Sequence, residues 1–236
     1  MASFYYVAWT RIVRPSLSAI LEDSMHTRGG DTRRTSGFTI VELLIVIVVI
    51  AILATITIVA YNGVQQRANN TARIAAAKQA ITTLTLYMAE NNAYPLTVGT
   101  GRCLGTGFPG NACWGVDSPS PAVTTPSLLD SLSEIGSLPH VSYPTVDMGY
   151  WHGIGPVYHY NTNRTVDGVP NPVVVVYFLD GSNQDCGLPN IVRNTNDGTP
   201  GTVENSTTYA TVTTSPRNTA STTHGTYCIA AIPPIS

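Results

Sequence analysis

Three groups of residues in this chain have types and spacings that could do chemistry: a glutamate set against an apolar run, four cysteines, and a scatter of histidines. Glu42 stands directly before residues 43–60, LLIVIVVIAILATITIVA, which carry no charge. A carboxylate beside such a segment is costly, up to about 2.5 to 3.5 kcal/mol for an acidic residue at the centre of a membrane helix. Two kinds of compensation are open. Thr39 and Glu42 fit a capping box, in which the two residues satisfy each other's backbone N–H groups at a helix start, where an acidic side chain is favourable. The other is a cation supplied from elsewhere, because an unpaired charge among apolar helices is heavily penalised.

Cys103, Cys113, Cys186 and Cys228 all follow the apolar run, and no two have the two-residue gap of a zinc or redox pair. Disulfides are the better reading. Four cysteines allow three pairings; loop-closure entropy favours near neighbours, Cys103 with Cys113 and Cys186 with Cys228. Four buried, reduced thiols are the competing reading, which fits a cytosolic domain better than an exported one. His140, His152, His159 and His224 come without an HExxH, a GxSxG elbow or a phosphate-cradling glycine loop. No catalytic residue, enzyme activity or cofactor is expected. The oxygen-rich stretches 180–185 and 194–197 do not match an EF-hand loop and read as turns, so no metal is expected either.

The element that must position Glu42 is the run itself. As a helix, residues 43–60 are about 27 Å long, close to the thickness of a bilayer hydrocarbon core. Arg28, Arg33 and Arg34 precede it and the first basic residue after it is Arg67, so the positive-inside rule places the N-terminus in the cytoplasm. Everything after the run is then outside, where disulfides survive. Tyr61 and Asn62, which follow the run, offer no small-x-small site, so cleavage after it is not expected.

A small residue does lie before the run: Arg33, Arg34, Thr35, Ser36, Gly37, then Phe38, Thr39, Ile40, Val41, Glu42, Leu43, Leu44. This stretch resembles the type IV prepilin motif, closely over residues 37–94 and weakly beyond. The resemblance implies that a prepilin peptidase, a membrane-embedded aspartic enzyme, cuts between Gly37 and Phe38 and methylates the new amine of Phe38. It further implies that Glu42 pairs with the Phe38 amine of a neighbouring copy as the apolar helices bundle into a filament core. The implied fold is α+β, the type IV pilin fold, with a long N-terminal helix packed on a C-terminal antiparallel sheet. Implied partners are further copies or homologous pilins, the peptidase and an inner-membrane assembly platform. Two features depart from the pattern. A leader of residues 1–37 is long and begins with the aromatic stretch FYYVAW; a start at Met25 would shorten it, and a cytoplasmic extension is the competing view. The proline that many pilins carry in the apolar half is absent.

Residues 38–60 form the membrane or assembly half of the helix in this reading, 61–91 its amphipathic half and 92–236 the globular domain. Residues 65–91 are rich in helix formers and no proline intervenes before Pro95, which predicts one helix of about 50 residues, near 80 Å. Ile74, Ala77, Ile81, Leu84 and Met88 form a stripe suited to packing on a sheet. Gly63 is a weak point where the helix can bend or melt. Residues 91–126 read as a loop region and 127–135 as a short helix. Residues 157–160 and 173–179 read as central strands around a turn-rich link, 161–172, and 209–214 and 226–232 as further strands. A bond between Cys186 and Cys228 would pin the last strand to the sheet. Asn163 with Thr165, and Asn205 with Thr207, are glycosylation-type triplets.

The formal net charge is −2. From residue 92 on, Arg102, Arg164, Arg193 and Arg217 face Asp117, Asp130, Glu134, Asp147, Asp167, Asp180, Asp185, Asp197 and Glu204. Such a domain repels a phosphate backbone, so no nucleic acid partner is expected. The leading reading is a structural filament subunit, a membrane-anchored precursor that later stands on the cell surface. A pseudopilin of a type II secretion or DNA-uptake system shares the same N-terminal segment. A membrane-tethered binding protein or enzyme that never polymerises is the alternative from another class.

Overall fold

The computed structural model describes residues 38–97, 101–115, 121–149, 152–195, 207–212 and 224–235. The chain divides into two units, Met1–Val49 and Ile50–Ser236. Helix α1 (Ile40–Asn91) begins in the first and ends in the second. Valine and isoleucine dominate its first half and are weak helix formers in water, but no proline breaks the run. Gly63 does not interrupt it either, and a Cβ there would meet nothing within 4 Å. The helix stops where Asn92 takes a left-handed φ of 47°, and Pro95 follows shortly; both are C-terminal signals.

The second unit continues through β1 (Arg102–Cys103), β2 (Ala112–Trp114), β3 (Ala122–Val123), α2 (Pro126–Ser133), β4 (Val146–Asp147), β5 (His152–Gly153) and β6 (Val157–Tyr160). It ends with β7 (Thr165–Val166), β8 (Val169–Pro170), β9 (Val173–Asp180), β10 (Val192–Asn194), β11 (Thr208–Thr211) and β12 (Gly225–Ala231). An eight-stranded sheet has the order β12-β9-β6-β1-β3-β2-β5-β4, and a four-stranded one the order β10-β11-β7-β8. Pairing is antiparallel except for β1 with β3 and β7 with β11, which are parallel. The expectation of a loop over 91–126 is corrected. That stretch supplies β1, β2 and β3, two or three residues each, too short to leave a period-2 signal. The turn-rich link 161–172 likewise contains the β7–β8 hairpin, turned by Asp167 and Gly168 at positive φ.

Strand β9 organises the core because both of its faces are buried, which is why VVVVYFL reads as a continuous apolar run. Val173, Val175, Tyr177 and Leu179 point to the side that packs against α1; Val174, Val176 and Phe178 point to the other. On the helix side, Ala77, Ala80, Leu84 and Met88 are buried against β9, α2 and the C-terminal tail, with Ile74 and Ile81 partly covered. Ala77 and Ala80, both fully buried, keep the helix surface low where it meets the sheet, and fully burying Leu84 contributes about 2 kcal/mol. On the far side, Phe178, Tyr227 and Ile229 meet Val146, Met148 and Ile154 from the other end of the same sheet, and Val192 and Tyr209 from the small one. The large sheet therefore curls over its own face. That approach needs glycine: a Cβ on Gly153 would stand 2.4 Å from the Phe178 ring, and one on Gly225 2.4 Å from Met148 Sδ.

Polar contacts fix where α1 starts to pack. Asn70 forms a two-way pair with the backbone of Asp180, Nδ2 donating to its carbonyl at 2.9 Å and Oδ1 accepting its N–H at 2.9 Å. Gln66 Nε2 donates to the same carbonyl at 3.0 Å. One turn on, the buried Arg73 donates from Nη2 to the Pro144 carbonyl at 2.6 Å and lies 4.9 Å above the Tyr143 ring. A second buried cation, Arg164, donates from Nη1 to the carbonyls of Pro172 and His159 and stacks on Tyr209.

Disulfides join Cys103 to Cys113 and Cys186 to Cys228. The second ties the loop after β9 to β12, with Cys228 opposite Tyr177 in the ladder. Replacing both Cys186 and Cys228 with serine opens a span of 42 residues and is expected to cost about 4 kcal/mol. Denaturant titration of the full chain in detergent reads this as a lower midpoint; an unchanged midpoint contradicts it.

His159 gives a pH prediction. Its ring is fully buried, edge-on to Trp114, and neither nitrogen finds a hydrogen-bond partner among the described residues. Burial, then the neighbouring Arg164 charge, pushes its pKa down to about 3. The folded chain keeps this ring neutral while the unfolded chain protonates it below about pH 6.5. Stability from this group is thus present above pH 6.5 and falls by about 1.4 kcal/mol per unit as the pH drops toward 3. His159→Phe should flatten that part of the acid limb in midpoints measured across the window; an unchanged slope contradicts a neutral, buried ring.

Candidate functional site

The start of α1 brings together the residues singled out by their chemistry. Phe38 is 80% exposed and lies two residues before the helix. Thr39 is the N-cap and Glu42 sits in the first turn. The capping box forms in full: Glu42 N donates to Thr39 Oγ1 at 3.2 Å, and Thr39 N donates to Glu42 Oε2 at 2.8 Å. Thr39 Oγ1 also donates to Oε2, at 2.9 Å. Both of Thr39's donors thus reach one oxygen, and Glu42 Oε1 has no hydrogen bond among the described residues. The box orients the carboxylate at the head of the helix and leaves half of it open to a further donor. Gly37, with Arg28, Arg33 and Arg34, lies outside the described residues.

Every described side chain over residues 38–65 is exposed, and α1 is long and apolar enough to cross a membrane. Exposure is even around the helix: Leu43 is 56% exposed, Val48 48% and Ile52 55%. A helix apolar on all sides suits lipid or a bundle of similar helices, not a water-facing surface. Its polar atoms are satisfied internally, since the Thr55 and Thr57 hydroxyls donate back to the carbonyls of Ile52 and Ala54. Glu42 is the one acidic group in the first turn, and no basic residue lies between it and Arg67.

The other chemistry-bearing residues are not brought together. His140 meets Thr106, His152 stands 3.9 Å from Asp147, and His159 is in the core. Among the described residues no group of three His, Cys, Asp or Glu side chains is placed to hold a metal. Asn163 is exposed, while Asn205 and part of the 194–197 stretch lie outside the described residues. Sequence reasoning missed the Gln66, Asn70 and Arg73 contacts. The signal was available, because Asn70 and Arg73 continue the Ala77, Ala80, Leu84 stripe upstream at the same helical spacing.

Comparison with known proteins bears on this segment. Residues 32–58 match a family described as the prokaryotic N-terminal methylation motif. The chain is also similar to the type IV wide pilus major component PilA4 of Thermus thermophilus, at 42% identity over 62 residues. That match covers 26% of this chain and 47% of PilA4, so the chain spans about half the length of this relative. No solved structure matches the chain. With a long N-terminal helix leading into a sheet-rich region, the α+β architecture is consistent with the type IV pilin fold. Residues 32–58 thus carry a prepilin-type N-terminal methylation motif.

Proposed function

We propose that the chain is a structural subunit of a type IV pilus or related filament, cut after Gly37, methylated on the Phe38 amine, and polymerised through residues 43–60. The methylation motif and the similarity to a pilus component support a pilin-type subunit. The observation that carries the finer reading is a carboxylate, half engaged by Thr39, at the head of an uncharged run, residues 43–60, whose described side chains are all exposed. Alone, such a helix belongs in lipid, as the precursor would be in the cytoplasmic membrane. In a bundle, Glu42 enters an apolar environment and requires a cation. Among the described residues no basic side chain follows Glu42 before Arg67, and cleavage would remove Arg33 and Arg34 while freeing the amine of Phe38, four residues before Glu42. Glu42 then accepts from the Phe38 amine of an adjacent copy, which sets axial register, while apolar packing supplies most of the adhesion. The work of such a subunit is polymerisation and display of its acidic, disulfide-tied domain, with no enzymatic step. Its other partners are the prepilin peptidase and the inner-membrane assembly platform.

Glu42→Ala separates processing from assembly. The expected outcome is cleaved, methylated protein that stays in the membrane fraction and yields no sheared filaments. Filaments of normal abundance would contradict the pairing. Thr39→Ala, which removes the hydroxyl but keeps the backbone, should cost the helix start about 1 kcal/mol. It should appear as faster amide exchange over residues 40–44 in detergent, with Thr39→Ser restoring protection; exchange that does not change refutes the capping role.

A further inference from the structure

Two residues, Phe38 and Thr39, separate the proposed cut from the first residue of α1. Phe38 is 80% exposed, and its peptide link to Thr39 is held by Thr39 N–H donating to Glu42 Oε2 at 2.8 Å. The first backbone bond of the helix runs from Leu43 N–H to the Thr39 carbonyl, at 3.3 Å. For the helix to grow upstream by one residue, Glu42 N–H would have to donate to the Phe38 carbonyl. That N–H instead donates to Thr39 Oγ1 at 3.2 Å, so the donor that growth requires is withheld.

Where the helix starts decides how far the bond to be cut stands from the apolar run 43–60. Hydrolysis adds water to the Gly37 carbonyl carbon and breaks its bond to the Phe38 nitrogen, which leaves as the amine. A membrane-embedded peptidase meets that bond at one depth, and it acts on open chain, not on a bond held within a helix. Without the Thr39 hydroxyl the start is no longer fixed. It can melt into residues 40–44, or grow upstream to Ser36, the next residue able to cap. Growth by three residues changes each from about 3.3 Å of extended rise to about 1.5 Å, which moves the bond by roughly 5 Å. We infer that Thr39 is a positioning residue for leader cleavage: its hydroxyl fixes the helix start, and so holds Phe38 outside the helix at a set distance from the run. The inference rests on the filament-subunit reading, since it assumes the cut after Gly37. It agrees with cleavage of Glu42→Ala, because the bond to Thr39 Oγ1 comes from the Glu42 backbone, which that variant keeps.

The test is the cleavage kinetics of the full-length precursor in detergent micelles by a purified prepilin peptidase, read by mass analysis. The cap sets the fraction of chains that present the bond correctly, and chains once bound are alike. Thr39→Ala and Thr39→Val should therefore raise KM by about fivefold with kcat unchanged. Thr39→Ser and Thr39→Asn, both strong N-caps but of different shape, should restore the wild-type KM. Equal KM for wild type and Thr39→Val overturns the inference and leaves the filament-subunit reading standing, whereas a wild-type precursor that is not cut after Gly37 overturns both. Restoration by serine but not by asparagine also overturns it, because the peptidase would then be reading the hydroxyl directly.

Discussion

A helix with no charge from residue 43 to residue 60, and with no described residue covering its side chains, constrains everything else in this protein. Side chains of that kind are stable in lipid or among copies of themselves, and in neither place can a carboxylate remain without a donor. Glu42 therefore belongs at the edge of the run, where the Thr39 backbone and hydroxyl hold one of its oxygens. The same physics serves two states of the molecule. Within one chain the capping box tolerates the charge at a membrane boundary; in the proposed filament the remaining oxygen meets an amine that exists only after cleavage.

Within the second unit, the sheet takes hold of α1 from Gln66 onward. Its first contacts are polar and directional, with Gln66 and Asn70 on the Asp180 backbone and Arg73 on the Pro144 carbonyl. The apolar stripe from Ala77 to Met88 then packs on the alternating side chains of β9. Hydrogen bonds at the entry set the helix register against the sheet, and burial beyond it supplies the stability. The far face of the sheet closes on itself and on the small sheet, and disulfide cysteines sit on three strands of the large sheet, Cys103 on β1, Cys113 on β2 and Cys228 on β12. Two arginines are among the polar residues buried in a largely apolar interior. Arg73 donates to the Pro144 carbonyl and Asn70 Oδ1, and Arg164 to the His159 and Pro172 carbonyls, each beside a tyrosine ring.

How much of this could be read from the chain follows from how strongly each element signals itself. The long helix was legible end to end, because residues 43–60 admit little else and the alanine-rich half lacks proline until Pro95. Strands β6, β9 and β12 were legible as apolar runs bounded by turns. Strands β1 to β5 and β7, β8 were not: at two or three residues each they carry no periodicity, and their pairing is set by tertiary contact. The parallel pairing of β1 with β3 depends on chain crossings that no local pattern encodes. Near-neighbour pairing of the cysteines followed from loop entropy alone. The capping box was visible as Thr39 and Glu42 three apart, but that both threonine donors converge on a single oxygen is a matter of geometry, as are the buried cations, which look like ordinary surface arginines in a sequence.

Mass analysis of the N-terminus of the protein sheared from cells is the most direct measurement of the central claim. A subunit beginning at methylated Phe38 is the predicted result, since only that species offers Glu42 a partner amine in a neighbouring copy. A mature chain that still begins upstream of Gly37 would contradict it.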